Sequence, residues 1–162
     1  MAIIPARGGS KRIPRKNIRD LNGKPLLVWS LQTATNSGLF SRVVVSTDDE
    51  EIEQIASDSG AHVSSPRPAQ LSDDFASTLE VMAHEVALAV VDDPGLQFVC
   101  CIYPAAFAIN RKDLTRSLDV LQSSDKQFVA AVTRYEHPVQ RAMRMARDGS
   151  LTLVTPVAAS MR

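Results

Sequence analysis

The sequence predicts an α/β protein, a single three-layer, Rossmann-like domain built on a mostly parallel sheet, and three observations carry that prediction. Short apolar runs of strand length alternate with longer segments of helical spacing, the pattern of crossover units. The short runs are continuous β-branched or apolar stretches rather than alternations, as strands covered on both faces require. The chain has 162 residues, 44% of them hydrophobic, enough for one core and short for two, so residues 1–162 are read as one domain.

Taken in order, Ala2-Ile3-Ile4 opens the sheet. A helix follows over residues 25–37, with Pro25 near its first turn and Ser37-Gly38 closing it. Val43-Val44-Val45 is the second strand, and Asp48 or Asp49 opens an acidic helix over 49–59. Ala61-His62-Val63 is the third strand, residues 76–91 a helix, and Asp92-Asp93-Pro94-Gly95 a surface turn. A fourth strand spans 98–102, and Asn110 precedes a helix over 110–123 whose Leu114, Leu118 and Leu121 share a face. A further strand is expected at 128–132. Residues 142–146 and 151–154 flank Arg147-Asp148-Gly149-Ser150, which predicts a C-terminal β-hairpin.

Bulk charge excludes some classes of function. Net charge is zero, so no global field marks a nucleic-acid or membrane-surface binder. No apolar run reaches membrane-spanning length, and the apolar start is too short for a signal-peptide core, so a soluble cytoplasmic protein is expected. The adjacent Cys100 and Cys101 are read as buried reduced thiols, since a bridge between neighbouring strand residues would be strained. His62, His84 and His137 have no partner acid nearby in sequence and are read as structural or solvent-exposed.

Charge is instead segregated locally. Residues 7–24 carry seven bases and one acid, whereas residues 48–58 carry six acids and no base. The run Arg7-Gly8-Gly9-Ser10-Lys11-Arg12-Ile13-Pro14-Arg15-Lys16-Asn17 places five of those cations and two glycines after the first strand, at the carboxyl end where open α/β sheets bind ligands. Glycines let the backbone approach a ligand and turn N–H groups toward it, and several cations together neutralise several oxyanions. That chemistry suits a triphosphate. Spacing excludes a P-loop, because one residue separates Gly9 from Lys11, and no Gly-x-Gly-x-x-Gly is present. The Asp48-Asp49-Glu50-Glu51 cluster is read as complementing a helix N-terminus, with a metal site as the alternative.

The run Ile3-Ile4-Pro5-Ala6-Arg7-Gly8-Gly9-Ser10-Lys11-Arg12, continued to Asn17, resembles the signature of the acylneuraminate cytidylyltransferases, the enzymes that make CMP-nonulosonic acids. The likeness continues through Leu21-Asn22-Gly23-Lys24-Pro25-Leu26, Val44-Val45-Ser46-Thr47-Asp48-Asp49-Glu50-Glu51-Ile52, Arg67-Pro68-Ala69-Gln70-Leu71-Ser72-Asp73-Asp74 and Val139-Gln140-Arg141-Ala142. With Cys100-Cys101-Ile102-Tyr103, these strings are most similar to the pseudaminic acid cytidylyltransferases. The resemblance implies a nucleotide-diphospho-sugar transferase type of fold and transfer of CMP from CTP to a nonulosonic acid, with pyrophosphate leaving. Positioning and electrostatic stabilisation carry such chemistry, with Mg2+ as the implied cofactor.

By resemblance Arg7 and Lys11 are the catalytic cations. Nucleotide contacts are implied for Arg7, Gly8, Gly9, Ser10 and Lys11, with Lys16 and Asn17 closing over the triphosphate. Arg12 and Arg15 divide between the anion and solvent. Arg67 is implied beside the cytosine, where its fork of donors suits an acceptor edge, and Thr78 in the base pocket. Asp73 and Asp74 are assigned to the start of the following helix.

Two departures bear on these implications. Where members carry hydroxyl-bearing residues after the fourth strand, this chain reads Tyr103-Pro104-Ala105-Ala106-Phe107-Ala108. The chain also stops at Arg162, where members continue into a metal-binding carboxylate motif, sugar-binding positions and a dimerisation arm. Metal ligands therefore transfer to no residue here, and a monomer is an open alternative to the family's homodimer. N-acetylneuraminate as the acceptor, a CTP-binding module without turnover, and a sugar-nucleotide pyrophosphorylase using another base are the alternatives on function.

Overall fold

The computed structural model describes residues 1–64, 66–134, 136 and 142–154. His137, the match at residues 139–141 and the end of the chain from 155 onward lie outside the described residues. Two compact units are present, Met1–Asp125 and Lys126–Arg162.

The first unit is a parallel sheet of β1 (Ala2–Pro5), β4 (Val43–Ser46), β5 (His62–Val63) and β6 (Cys100–Cys101), in the order β5-β4-β1-β6. A small antiparallel pair, β2 (Asp20–Leu21) and β3 (Lys24–Pro25), leads into α1 (Leu26–Ser37). Then come α2 (Glu50–Asp58), α3 (Thr78–Asp92) and α4 (Arg111–Gln122). Alternation along the strands explains the layers. Ala2, Ile4, Val43 and Val45 pack with Leu27 and Leu31 of α1, Ile52 and Ala56 of α2 and Leu114 of α4. Ile3 and Val44 point the other way, onto Ala89 of α3. Ile3, Ile4, Leu27, Leu31, Ile52 and Ile102 are fully buried, each worth about 1.5–3 kcal/mol in area removed from water.

The helix ends follow their local chemistry. Gly38 closes α1 in the left-handed region, φ 67, where a side chain would be strained. Asn110 caps α4, accepting from the Lys112 and Asp113 N–H groups. The start of α3 departs from the sequence expectation: the cap is Ser77, in a reciprocal capping box with Glu80. Asp73 and Asp74 lie upstream of it, leaving Asp74 available for other work.

The cysteines also differ from expectation. Cys100 is half-buried and Cys101 exposed, both as free thiols, because β6 is the edge of the described sheet and has a neighbour on one side alone. Burial pushes the Cys100 thiol pKa up.

The second unit contains the expected hairpin, β7 (Met143–Met145) paired with β8 (Leu151–Leu153). The Gly149 N–H returns to the Ala146 carbonyl at 3.0 Å with Gly149 at φ 84, and the Asp148 carboxylate accepts from Ser150 N–H at 2.9 Å. The expected strand at 128–132 is irregular chain. Phe128 and Val132 are 79% and 91% exposed, and strand propensity without a ladder partner or a covered face does not make a strand. Among the described residues, no helix is long and apolar enough to cross a membrane.

Candidate active site

Parallel strands put all their carboxyl ends on one edge, and the strand order reverses between β1 and β6, the crevice where open α/β sheets bind ligands. The basic loop leaves β1 there. The Ala6 N–H still pairs with the Ser46 carbonyl at 2.9 Å, after which the chain turns out of the ladder. The loop closes through a hydrogen bond from Ser10 N–H to the Gly8 carbonyl at 2.9 Å and a 3-10 turn over Lys16–Ile18.

Gly8 occupies its position for a steric reason. A Cβ added there would meet Asp49, with its Cγ at 2.9 Å and its Cβ at 3.0 Å. The Gly8 N–H donates to Asp48 Oδ1 at 3.0 Å. Gly9 is exposed with open space around it.

Carboxylates pair with three of the five loop cations. Arg7 donates to the Asp73 carbonyl at 2.7 Å and pairs with Asp74 at 3.1 Å; Lys11, largely exposed, pairs with the other Asp74 oxygen. Lys11 first, and then Arg7, hold the Asp74 carboxyl below its usual range. Arg15, in the left-handed region at φ 53, pairs with Asp49 and Glu51. That backbone conformation costs about 1 kcal/mol, which the two ion pairs offset. Asp49 also caps α2 through Ile52 N–H, as the acidic cluster was read to do, and Arg15 is the main cause of its depressed pKa. Arg12 is exposed.

Asn17 is buried, and its Nδ2 donates to the Arg7 carbonyl at 2.9 Å, tying down the base of the loop; its Oδ1 is buried without a partner. Lys16 is half-buried at the start of the 3-10 turn.

Arg67 contrasts with the loop. It follows β5, its N–H donates to the Thr47 carbonyl at 3.1 Å, and its side chain is 3% exposed. Nη2 lies 3.6 Å from Asp48 Oδ1, and neither Nε nor Nη2 has a hydrogen-bond partner. Burial pushes the guanidinium pKa down, opposed by Asp48 and then by Glu85, a buried acid of α3 that accepts from Ser64 Oγ at 3.0 Å. Arginine remains charged under such pressure, so Nε and Nη2 keep hydrogen-bonding capacity that the ion pair with Asp48 does not use. Thr78, the first residue of α3, accepts from the Tyr103 hydroxyl at 3.2 Å. A hydroxyl therefore stands in the segment after β6, supplied by Tyr103.

The structure thus gathers Arg7 and Lys11 on Asp74, and Gly8 and Arg67 on Asp48. Sequence reasoning missed Asp48, Asp74 and Tyr103 as members of this cluster. For Asp48 the charge segregation between residues 7–24 and 48–58 was the available signal, because these segments follow the adjacent parallel strands β1 and β4; Asp74 and Tyr103 lie outside both segments. Two cavities, of about 340 and 380 Å³, lie against α1 with the start of α4 and against β5 with α3; none of loop residues 7–17 lines either. Among the described residues, no group of three His, Cys, Asp or Glu is placed to hold a metal ion. Asp49, Glu51 and Asp74, the carboxylates facing the loop, are each engaged by a cation, so these residues do not by themselves fit a divalent cofactor.

Comparison with known proteins bears on what this arrangement serves. The family model described as "Cytidylyltransferase" matches residues 1–148. The chain is 43% identical over 151 residues to a pseudaminic acid cytidylyltransferase of Campylobacter jejuni, covering 93% of this chain and 65% of that relative. It is 35% identical over 141 residues to an N-acylneuraminate cytidylyltransferase of Escherichia coli, covering 86% of this chain and 32% of the relative. Among solved structures, CMP:2-keto-3-deoxy-manno-octonic acid synthetase complexed with CTP superimposes with a TM-score of 0.62 at 26% identity, over 75% of this chain and 46% of that one. The chain therefore spans a little under two thirds of the length of the first relative and less of the others.

Proposed function

The chain belongs to the cytidylyltransferase family, and on that premise we propose that it binds CTP and transfers CMP to a nonulosonic acid, releasing pyrophosphate. Pseudaminic acid is the favoured acceptor, supported by the 43% identity to the Campylobacter jejuni relative against 35% to the N-acylneuraminate relative. One observation carries the reading: Gly8 of the glycine loop and Arg67, far apart in sequence, meet at one carboxylate on the ligand-binding edge of the sheet.

In this reading the triphosphate takes Arg7 and Lys11 from Asp74. Both pairs are solvent-exposed and weak, so a polyanion displaces the carboxylate at little cost. The Arg67 donors that lack hydrogen-bond partners then take acceptors on the cytosine. The acceptor's anomeric oxygen forms a bond to the α-phosphorus and its proton is released, while the bond to the β-phosphate bridging oxygen breaks and pyrophosphate leaves. Arg7 and Lys11 stabilise the charge that develops on the phosphate oxygens. Gly9 and Ser10 line the loop, and Lys16, Asn17 and Thr78 complete the nucleotide contacts. Mg2+ is the proposed ion, with ligands outside the residues described above.

Incubation with CTP, Mg2+ and pseudaminic acid releases pyrophosphate under this reading, and N-acetylneuraminic acid serves less well. Absence of release with either acid, together with no CTP-induced rise in melting temperature, sinks it. A second reading, a CTP-binding module without turnover, is favoured by the lack of a metal-holding cluster among the described residues. It predicts the melting shift without pyrophosphate. Competition by UTP, GTP and dTTP tests whether the base is cytosine.

A further inference from the structure

Asp48 stands where the two arms of the candidate site meet. It follows β4, and β4 lies between β5, which leads to Arg67, and β1, which leads to the glycine loop. Its Oδ1 accepts the Gly8 N–H at 3.0 Å and lies 3.6 Å from Arg67 Nη2. The neighbouring acid, Asp49, caps α2, so the helix does not need Asp48 for that purpose. Gly8 requires an acceptor atom, while the buried guanidinium requires a negative charge, and one carboxylate oxygen supplies both.

We propose that Asp48 is a positioning residue for the nucleotide: its single oxygen fixes the phosphate loop through Gly8 and the base-side arginine through Arg67, setting the distance between the two ends of the ligand. The proposal rests on the CTP reading above. It assigns Asp48 no contact with the ligand. Its effect passes through Gly8 on one side and Arg67 on the other.

The two duties separate chemically. Asp48→Asn keeps a carbonyl oxygen for the Gly8 N–H but removes the charge beside Arg67, whereas Asp48→Ala removes both. CTP and inorganic tripolyphosphate are titrated calorimetrically into the unaltered chain, both variants, Arg67→Ala and the Asp48→Asn/Arg67→Ala double variant. Protection of the Gly8 amide is followed by hydrogen exchange. Asp48→Asn is expected to keep tripolyphosphate affinity and Gly8 protection while losing about tenfold in CTP affinity, the scale of one charge-assisted contact. Asp48→Ala weakens both ligands and exposes the Gly8 amide. In the Arg67→Ala background, Asp48→Asn has no further effect on CTP.

A carboxylate that merely stabilises the fold would lower the melting temperature and weaken both ligands alike in Asp48→Asn. That pattern overturns the proposal, as does CTP affinity unchanged in Asp48→Asn. Should the Ala variant fail to fold, the Asn variant and its Arg67→Ala combination decide the matter alone. Absence of CTP binding by the unaltered chain overturns the CTP reading and the proposal with it, a result distinct from either pattern among the variants.

Discussion

The glycine loop and the Arg67 segment meet the same edge of the sheet in opposite states. Three of the loop cations, Arg7, Lys11 and Arg15, are already paired with carboxylates: Lys11 is 78% exposed and shares Asp74 with Arg7. Arg67 is 3% exposed and has two nitrogens without hydrogen-bond partners, one of which, Nη2, is ion-paired with Asp48. Exposed pairs are worth about 0–1 kcal/mol and exchange readily, whereas a buried, unsatisfied donor costs about 1–3 kcal/mol until something accepts from it. One arm of the site is therefore adjustable and self-neutralised, and the other is fixed and waiting.

The largest expected effect breaks the fixed arm. Arg67→Ala should lower CTP affinity about a hundredfold, the scale of two charge-assisted hydrogen bonds, with the loss nearly independent of salt because the group is buried. Calorimetric titration at low and high ionic strength checks both parts. Next, Arg7→Ala with Lys11→Ala should cost about thirtyfold in CTP affinity at low salt and much less at high salt, since these contacts are screened. Its melting temperature should stay close to that of the unaltered chain. Equal salt dependence for Arg67→Ala and the double variant would erase the distinction between the arms.

Gly8→Ala comes third and acts on the joint between them. The new methyl would press on the Asp49 side chain, and overpacking of this kind costs about 1–3 kcal/mol of stability, readable by denaturant unfolding. The smallest effect sharpens the adjustable arm. Asp74→Asn removes the internal competitor and should raise CTP affinity about two- to fivefold at neutral pH. The sign with pH follows from the depressed Asp74 pKa, whose first cause is Lys11. A carboxyl lowered from its ordinary value of 3.8 keeps its pairing above that value and loses it as pH falls through the folded value. Unaltered and Asn proteins should therefore differ throughout the neutral range and converge in acid below 3.8.

The two arms were not equally legible in the sequence. The loop announced itself through glycines and cations packed into a short run, and the sheet and helices through apolar spacing, with α1, α2 and α4 beginning and ending within two residues of where their signals stand. Arg67 carried no local mark of burial; a loop arginine becomes a buried one only when β4, β5 and α3 close around it. Asp74 looked like a helix-opening acid, yet Ser77 and Glu80 form the better cap, and the Ser-x-x-Glu spacing that says so was there to read. Residues 128–132 show the reverse error, an apolar run with strand composition and no pairing neighbour among the described residues. Local composition identified what each segment prefers; the partners, which decide burial and charge pairing, belong to the topology.

The order β5-β4-β1-β6 has a consequence for anyone wishing to isolate the proposed anion-binding element. A peptide of residues 1–24 would carry all seven bases of the loop region, yet neither the oxygen that receives the Gly8 amide nor the guanidinium beside it. Cut from its crossovers, that fragment should behave as an ordinary polycation, indifferent to which nucleobase a triphosphate bears. Under the proposed function, selectivity belongs to the closed sheet and first exists when strands more than 40 residues apart have found one another.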